Sequence, residues 1–378
     1  MSALRITGAE VFEADGTFTA RDLCIEDGLI VADTDGETFD AAGLKVIPGL
    51  VDVHFHGCMG QDMCNGSEEA IRTIARYQAS QGVLAICPAT MTYPEDKLTG
   101  VADAAAAWSR TGDGAHEGCA SLVGINMEGP FISPDKVGAQ NPAYVQAPDA
   151  AMFRRLQERS GGLFKLVTLA PEVPGAPEFI DELADEVAIS VGHTCAKYDE
   201  AAEAFARGAK QVTHLWNAQP PLHHRDPSVI GAAADAEQVK VELICDGIHI
   251  HPAATRATFK LFPGRVVMIS DSVEATGLDD GEYSLGGQKV IVRGNLATLE
   301  SGTIAGSATN LFGCLRYAVG EAGIPLEQAL SACTITPARA IGVDGSYGSL
   351  DEGKVANVVL IDDDLNIRAI FLRGERLA

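Results

Sequence analysis

The stretch Pro48-Gly-Leu-Val-Asp-Val-His54-Phe-His56-Gly57 reads as a buried strand that ends in two imidazoles spaced two residues apart. On an extended strand, residues i and i+2 face the same side, so both rings can turn toward one ion. Taken alone the pattern is weak, because a histidine at a strand end is more often a surface or core-edge residue. Its weight depends on what the rest of the chain brings to the same end of the fold.

Residues 44–53 are the first of eight short apolar runs; the others are 83–89, 121–127, 164–169, 187–191, 211–215, 241–245 and 266–269. Helical stretches fill the intervals, for example 68–81 and 198–207, the latter followed by Gly208 as a C-cap. Alternation of this kind is the signature of parallel strands with crossover helices, and eight units predict an α/β fold of the (β/α)8 TIM-barrel type over residues 49–344. Residues 1–48 carry short strands with turn punctuation, as in Leu4-Arg-Ile-Thr-Gly8 and Leu23-Cys-Ile-Glu-Asp-Gly28. Residues 345–378 repeat that style, so the two chain ends are expected to pair into a small β-sandwich domain. After the eighth run, residues 281–295 predict a β-hairpin excursion covering the site before a helix that begins near Ser307.

The totals bound the function. The chain has 378 residues, about right for a barrel of ~250 residues plus an accessory module. A formal charge of −24 disfavours nucleic acid and anionic lipid surfaces, and it requires that any phosphorylated substrate be caught by a few well-placed cations. The start, Met1-Ser-Ala-Leu-Arg5, has neither the basic stretch nor the apolar core of a signal peptide, and no apolar run reaches the ~18 residues of a membrane span. A cytoplasmic protein is expected. Nine scattered cysteines without a C-x-x-C pair fit reduced thiols better than a disulfide framework, and Cys58, Cys195 and Cys245 are read as packing.

Barrel enzymes keep their active sites at the C-terminal ends of the strands. There the first run ends in His54 and His56, the third in Glu128, the fifth in His193, the sixth in His214 and the eighth in Asp271. Glu128 can bridge two ions through its two oxygens, with His193 and His214 completing a second position. Imidazoles suit Zn or Fe, and carboxylates are their hard complement. Asp271 is the candidate for proton transfer: a metal lowers the pKa of a water it holds toward ~7, and a nearby carboxylate can take that proton and pass it to a departing nitrogen. The bland alternative for Asp271 is a helix N-cap.

The H-x-H after the first run and the Asp after the eighth resemble the amidohydrolase superfamily. Longer stretches are similar to its N-acetylglucosamine-6-phosphate deacetylase family: Glu128-Gly-Pro-Phe-Ile-Ser133, Thr168-Leu-Ala-Pro-Glu172, Gly192-His-Thr194, Thr213-His-Leu-Trp-Asn-Ala218, His223-His-Arg-Asp-Pro227, Asp246-Gly-Ile-His249, Ser270-Asp-Ser272 and Ile304-Ala-Gly-Ser307. The resemblance runs to Lys354-Val-Ala-Asn-Val-Val-Leu360 near the end of the chain. It implies deacetylation of an amino-sugar phosphate by one or two divalent ions per subunit. Glu128, His193 and His214 match the principal metal ligands, His54 and His56 the pair that lets some members hold a second ion, and Asp271 the catalytic acid/base, counted with the metal set. It also implies substrate contacts from Ala139, Gln140, Asn217, Ala218, Ile304, Ala305 and Gly306, with Arg225 and His249 holding the phosphate at a site completed across a homodimer interface.

Two positions depart from the family pattern. Gln140 stands where some members carry a His that polarises the acetyl carbonyl; an amide donates a hydrogen bond but no proton, which shifts polarisation toward the metals. Gln219 stands where Met is more usual, and it bears on substrate specificity. A dihydroorotase-like cyclic amidase would bridge its metals with a carboxylated Lys ending the fourth run, whereas Lys165 lies at the beginning of that run. The galactosamine epimer remains an alternative substrate, and a non-catalytic sugar-phosphate-binding barrel the reading from another class. His116 and His251 receive no role.

Overall fold

The computed structural model describes residues 3–112 and 116–377; Met1, Ser2 and Ala378, which begin and end the ranges assigned to the terminal domain, lie outside them. Six parallel strands pair in chain order: Ile125–Glu128, Phe164–Leu169, Ala188–Val191, Gln211–Val212, Lys240–Ile244 and Val266–Ile269. A second parallel set joins Leu50–Asp52, Val83–Ile86 and Ser121–Leu122. A parallel bridge between Ala89 and Asn126 ties one edge of the two sets together. At the other edge the Asp271 N–H donates to the His54 carbonyl at 2.9 Å. The result is a curled parallel sheet with helices between its strands, its apolar residues forming the main core.

The first and third apolar runs are each broken by a glycine, which corrects the boundaries predicted for them. Residues 44–53 split into Lys45–Pro48, which joins a different sheet, and Leu50–Asp52. A Cβ on the intervening Gly49 would stand 2.6 Å from the Leu84 Cβ, so only glycine lets the chain cross between sheets that closely. In the third run, a Cβ on Gly124 would lie 2.5 Å from Lys165 Cγ, and the strand stops at Leu122 and resumes at Ile125.

Local chemistry sets the helix starts. In Glu68–Ser80 the Ser67 side chain accepts from the Ala70 N–H, with Glu68 and Glu69 in the first turn. Tyr198–Arg207 ends at Gly208 as anticipated, with φ 122°. The helix expected near Ser307 instead begins at Leu311, because Asn310 supplies the cap by accepting from the Gly313 N–H at 2.9 Å.

The chain ends meet in a six-stranded sheet where Val358–Ile361 runs antiparallel to Lys45–Pro48. A four-stranded sheet of Leu29–Val31, Leu23–Glu26, Ala3–Thr7 and Glu37–Asp40 lies with it, and Ile6, Leu23, Ile25, Val46, Val358 and Phe371 share one buried cluster. The excursion after the eighth strand is a four-stranded antiparallel sheet, Gly281–Leu285, Gln288–Arg293, Leu296–Leu299 and Ile304–Ser307, larger than the single hairpin expected. Its last strand returns to the strand ends, where the Ser307 N–H donates to the Asp271 carbonyl at 2.8 Å.

Candidate metal centre

Two ligand groups converge on Glu128: His54 with His56, and His193 with His214. Glu128 is 2 % exposed. Its Oε1 lies 3.3 Å from His54 Nε2, 3.0 Å from His193 Nε2 and 3.1 Å from His214 Nε2, while its Oε2 lies 3.3 Å from His56 Nε2. Asp271 Oδ1 faces His56 Nε2 at 3.3 Å and His54 Nε2 at 3.7 Å.

The protonation demanded by the outer contacts decides what these atoms can hold. A carbonyl can only accept, so the Lys136 carbonyl 2.9 Å from His193 Nδ1 requires that nitrogen to carry the hydrogen. A neutral His193 therefore turns the lone pair of Nε2 inward, to within 3.1 Å of His214 Nε2. His54 Nδ1 sits 2.8 Å from a Glu242 oxygen, leaving the His54 Nε2 lone pair inward; that atom is buried without a hydrogen-bond partner. Several acceptor lone pairs about 3 Å apart repel one another unless a cation lies among them. This donor set fits a divalent ion, and Glu128 belongs to both groups.

The electrostatics agree with that convergence. Burial opposes charge on His54, yet the Glu242 and Glu128 carboxylates beside it favour a positive charge at this place and hold the imidazole well above the usual range; a bound ion would supply that charge in the proton's stead. Burial likewise opposes ionisation of Glu128, and the imidazoles of His54, His193 and His214 around it hold its carboxyl well below the usual range.

Backbone strain marks the same place. Among the described residues ten non-glycine positions have positive φ, and His193, His214, Ala218 and Asp271 are four of them, all lining one pocket of about 250 Å3. Each such residue costs roughly 1–3 kcal/mol and persists only where the surroundings dictate it. The chain is also tightly packed beside one of them: a Cβ on Gly192, just before His193, would stand 2.5 Å from the Thr213 Cβ.

His56, Glu128, Ala139, Gln140, His193, His214, Asn217, Ala218, His249, Asp271, Ile304 and Gly306, all singled out in the sequence, line that pocket together. His54 and Ala305 are fully buried and are not among its lining residues. Arg225 lies outside it, exposed on a turn where His223 and Asp226 exchange backbone hydrogen bonds, its Nη1 2.6 Å from His224 Nε2. His249 does have the hydrogen-bonded character of the bland reading, Nδ1 to Asp246 Oδ2 at 2.8 Å, and still borders the pocket. Asp271 caps none of the described helices; it lies just past Val266–Ile269, after Ser270. Gln140 donates to Glu128 Oε2 at 2.7 Å and accepts from the Thr92 N–H at 2.7 Å, so its amide is already committed to the ligand shell. Gln219 is buried with both amide atoms unpartnered.

Met91, Leu285 and Thr303 also line the pocket and were missed in the sequence, being ordinary residues on a loop and on the excursion. Glu242 was missed too, although a charge inside the apolar run 241–245 was a visible signal. His116 stacks on Trp108 with centroids 3.4 Å apart, and His251 caps the helix Pro252–Leu261; both are structural. All nine cysteines are free, and burial pushes the Cys58 and Cys245 thiols up, as inert packing requires.

Residues 45–377 match the Amidohydrolase family. The chain belongs to that family; it is a hydrolase, and its fold is TIM-barrel-like. It is 35% identical over 332 residues to the N-acetylglucosamine-6-phosphate deacetylase of Bacillus subtilis (strain 168), covering 87% of this chain and 83% of that one. It is 33% identical over 330 residues to the N-acetylgalactosamine-6-phosphate deacetylase of Escherichia coli O157:H7, covering 87% and 86%. Among solved structures, the N-acetyl-D-glucosamine-6-phosphate deacetylase of Mycobacterium smegmatis, an aspartate-to-alanine variant in complex with N-acetyl-D-glucosamine-6-phosphate, is similar at a TM-score of 0.91 and 30% identity, covering 100% of this chain and 99% of that chain.

Proposed function

We propose that this chain hydrolyses the acetamide of N-acetyl-D-glucosamine 6-phosphate, with water, to D-glucosamine 6-phosphate and acetate. The observation that carries the reading is one carboxylate, Glu128, shared by two histidine pairs with Asp271 facing them. His54 and His56 would hold one ion and His193 and His214 the other, with Glu128 within reach of both pairs, and Zn or Fe suits this mixture of imidazole and carboxylate. A divalent ion held there polarises an acetyl carbonyl and lowers the pKa of a water toward ~7.

The protein's own groups do the rest. Asp271 takes the proton of the attacking water and delivers it to the departing nitrogen, so one carboxylate serves first as base and then as acid. Asn217, Ala218, Ala139, Ile304, Ala305 and Gly306 form the sugar subsite, and Gln140 steadies Glu128 from its edge. His249 binds the phosphate as a cation. Arg225, exposed on its turn, reaches a phosphate across a homodimer interface; exposed Leu222 and Ile248 nearby in sequence support such an assembly. Arg meets phosphate bidentately, which an acidic chain needs.

The proposed architecture is a closed barrel over residues 49–344 with a small sandwich from 1–48 and 345–378, and the proposed location is the cytoplasm. Among the described residues no helix is long and apolar enough to cross a membrane. A second reading, the galactosamine epimer as substrate, is favoured by the relative of that activity. Amine release measured on both epimers side by side separates the two: a higher kcat/KM for the glucosamine form is the expected result, and a preference for the galactosamine form would replace this reading with the second.

A further inference from the structure

Glu242 lies on the strand Lys240–Ile244, fully buried. It is not among the residues lining the substrate pocket, so it is not a substrate contact. Its Oε2 accepts from His54 Nδ1 at 2.8 Å and from the His214 backbone N–H at 3.1 Å, and its Oε1 accepts from Gln211 Nε2 at 2.6 Å. A carboxylate this far from water is retained only where its lone pairs are met, and here they are met by ligand-bearing segments from two different strands.

The four imidazoles are not supported alike. The Lys136 carbonyl orients His193. The Nδ1 atoms of His56 and His214 are buried without a partner. Of the four, His54 alone has a carboxylate on the nitrogen remote from the ligand cluster. By accepting from Nδ1, that carboxylate selects the tautomer whose lone pair sits on Nε2, and it raises the basicity of the ring. The same oxygen also accepts from the backbone N–H of His214, but the Nδ1 of that ring has no partner, so the orienting contact of Glu242 falls on the His54 imidazole.

We infer that Glu242 is a positioning residue that acts through His54 to make the His54–His56 position able to hold its ion. The inference rests on the two-position metal reading above. Replacement by glutamine keeps the volume but breaks the pattern in either orientation. In one orientation the new amide nitrogen faces Gln211, whose amide must turn over to accept it, and His54 Nδ1 is left with an uncharged acceptor; in the other it opposes His54 Nδ1 and turns the lone pair of that ring away from the ligand cluster.

The test is calorimetric titration of Zn2+ alone into the chelator-stripped full chain, with metal content by elemental analysis and thermal unfolding of each stripped protein. The parent is expected to take up two ions. Glu242→Gln is expected to bind one of them about 10–100-fold more weakly, to retain most affinity for the other, and to keep the parent's metal-free Tm. Gln211→Leu, which leaves the bond to His54 in place, gives a smaller loss at the same ion and is the variant that decides if Glu242→Gln does not fold. Parent affinity for both ions in these variants would overturn the inference and leave the metal reading intact. An equal loss at both ions together with a lower metal-free Tm would overturn it in favour of a general structural role. A parent that binds fewer than two ions would overturn the two-position reading itself.

Discussion

Asp271 sits where two demands conflict. Burial disfavours its charge, but the imidazoles of His56 and His54 beside it hold its carboxyl below the usual range, so it stands ionised and able to accept a proton. Asp271→Asn keeps the shape and removes the base; turnover is expected to fall about 10^2–10^4-fold while elemental analysis finds the parent's metal content. Normal turnover would remove Asp271 from the reaction. His249 carries the opposite charge by similar means: burial opposes its protonation, and the hydrogen bond to Asp246 outweighs that and holds its imidazolium above the usual range. A histidine raised in this way contributes its charge fully below the unfolded value of about 6.5 and loses it as pH climbs through the raised folded value. KM for the phosphorylated substrate is therefore expected to rise with pH beyond that point, and Asp246→Asn to bring the rise to lower pH. A KM–pH profile unchanged in Asp246→Asn would detach His249 from the phosphate.

At the scale of elements, the apolar runs and the polar residues ending them were legible because both are one-dimensional patterns. The run Val266–Ile269 forms the strand expected, with Asp271 two residues beyond its end. What the sequence hid depended on neighbours distant along the chain. The break at Gly49 is dictated by Leu84, and the break at Gly124 by Lys165. Strands such as Phe18–Ala20 and Glu37–Asp40 are too short and too exposed to show an apolar pattern. The role of Gln140 was hidden for the same reason, since its partners Thr92 and Glu128 come from separate strand ends. The close approach at Gly192 gives an element-scale prediction. Gly192→Ala would press on Thr213 and Thr168, costing about 1–3 kcal/mol in thermal unfolding and displacing His193, so that metal affinity falls with stability. Unchanged stability would mean that the strand ends have room the packing does not suggest. The excursion is tied to the site by Gln288 Nε2, which donates to the Ala139 carbonyl at 2.6 Å. Gln288→Ala is expected to raise KM several-fold with metal content unaltered, and an unchanged KM would make the excursion a passive cover.

Over the whole molecule, the parallel sheet and its helices supply a rigid frame, and the proposed ligands come from strand ends far apart in the chain, from His54 to His214. A bound ion links these segments, so it should stabilise the fold as well as serve the reaction. A ligand present at 100 times its Kd adds about 2.7 kcal/mol, and metal-loaded protein is expected to unfold several degrees above stripped protein. The net charge of −24 leaves phosphate recognition to a few cations, which makes the phosphate a requirement of binding more than a general attraction. The most direct test of the central claim is acetate release from N-acetyl-D-glucosamine 6-phosphate and from the unphosphorylated sugar, before chelation, after it, and after Zn2+ is restored. Release that needs the phosphate, stops on chelation and returns with the metal is the expected result; release that survives complete removal of metal, or none from the phosphorylated sugar with metal restored, would contradict it.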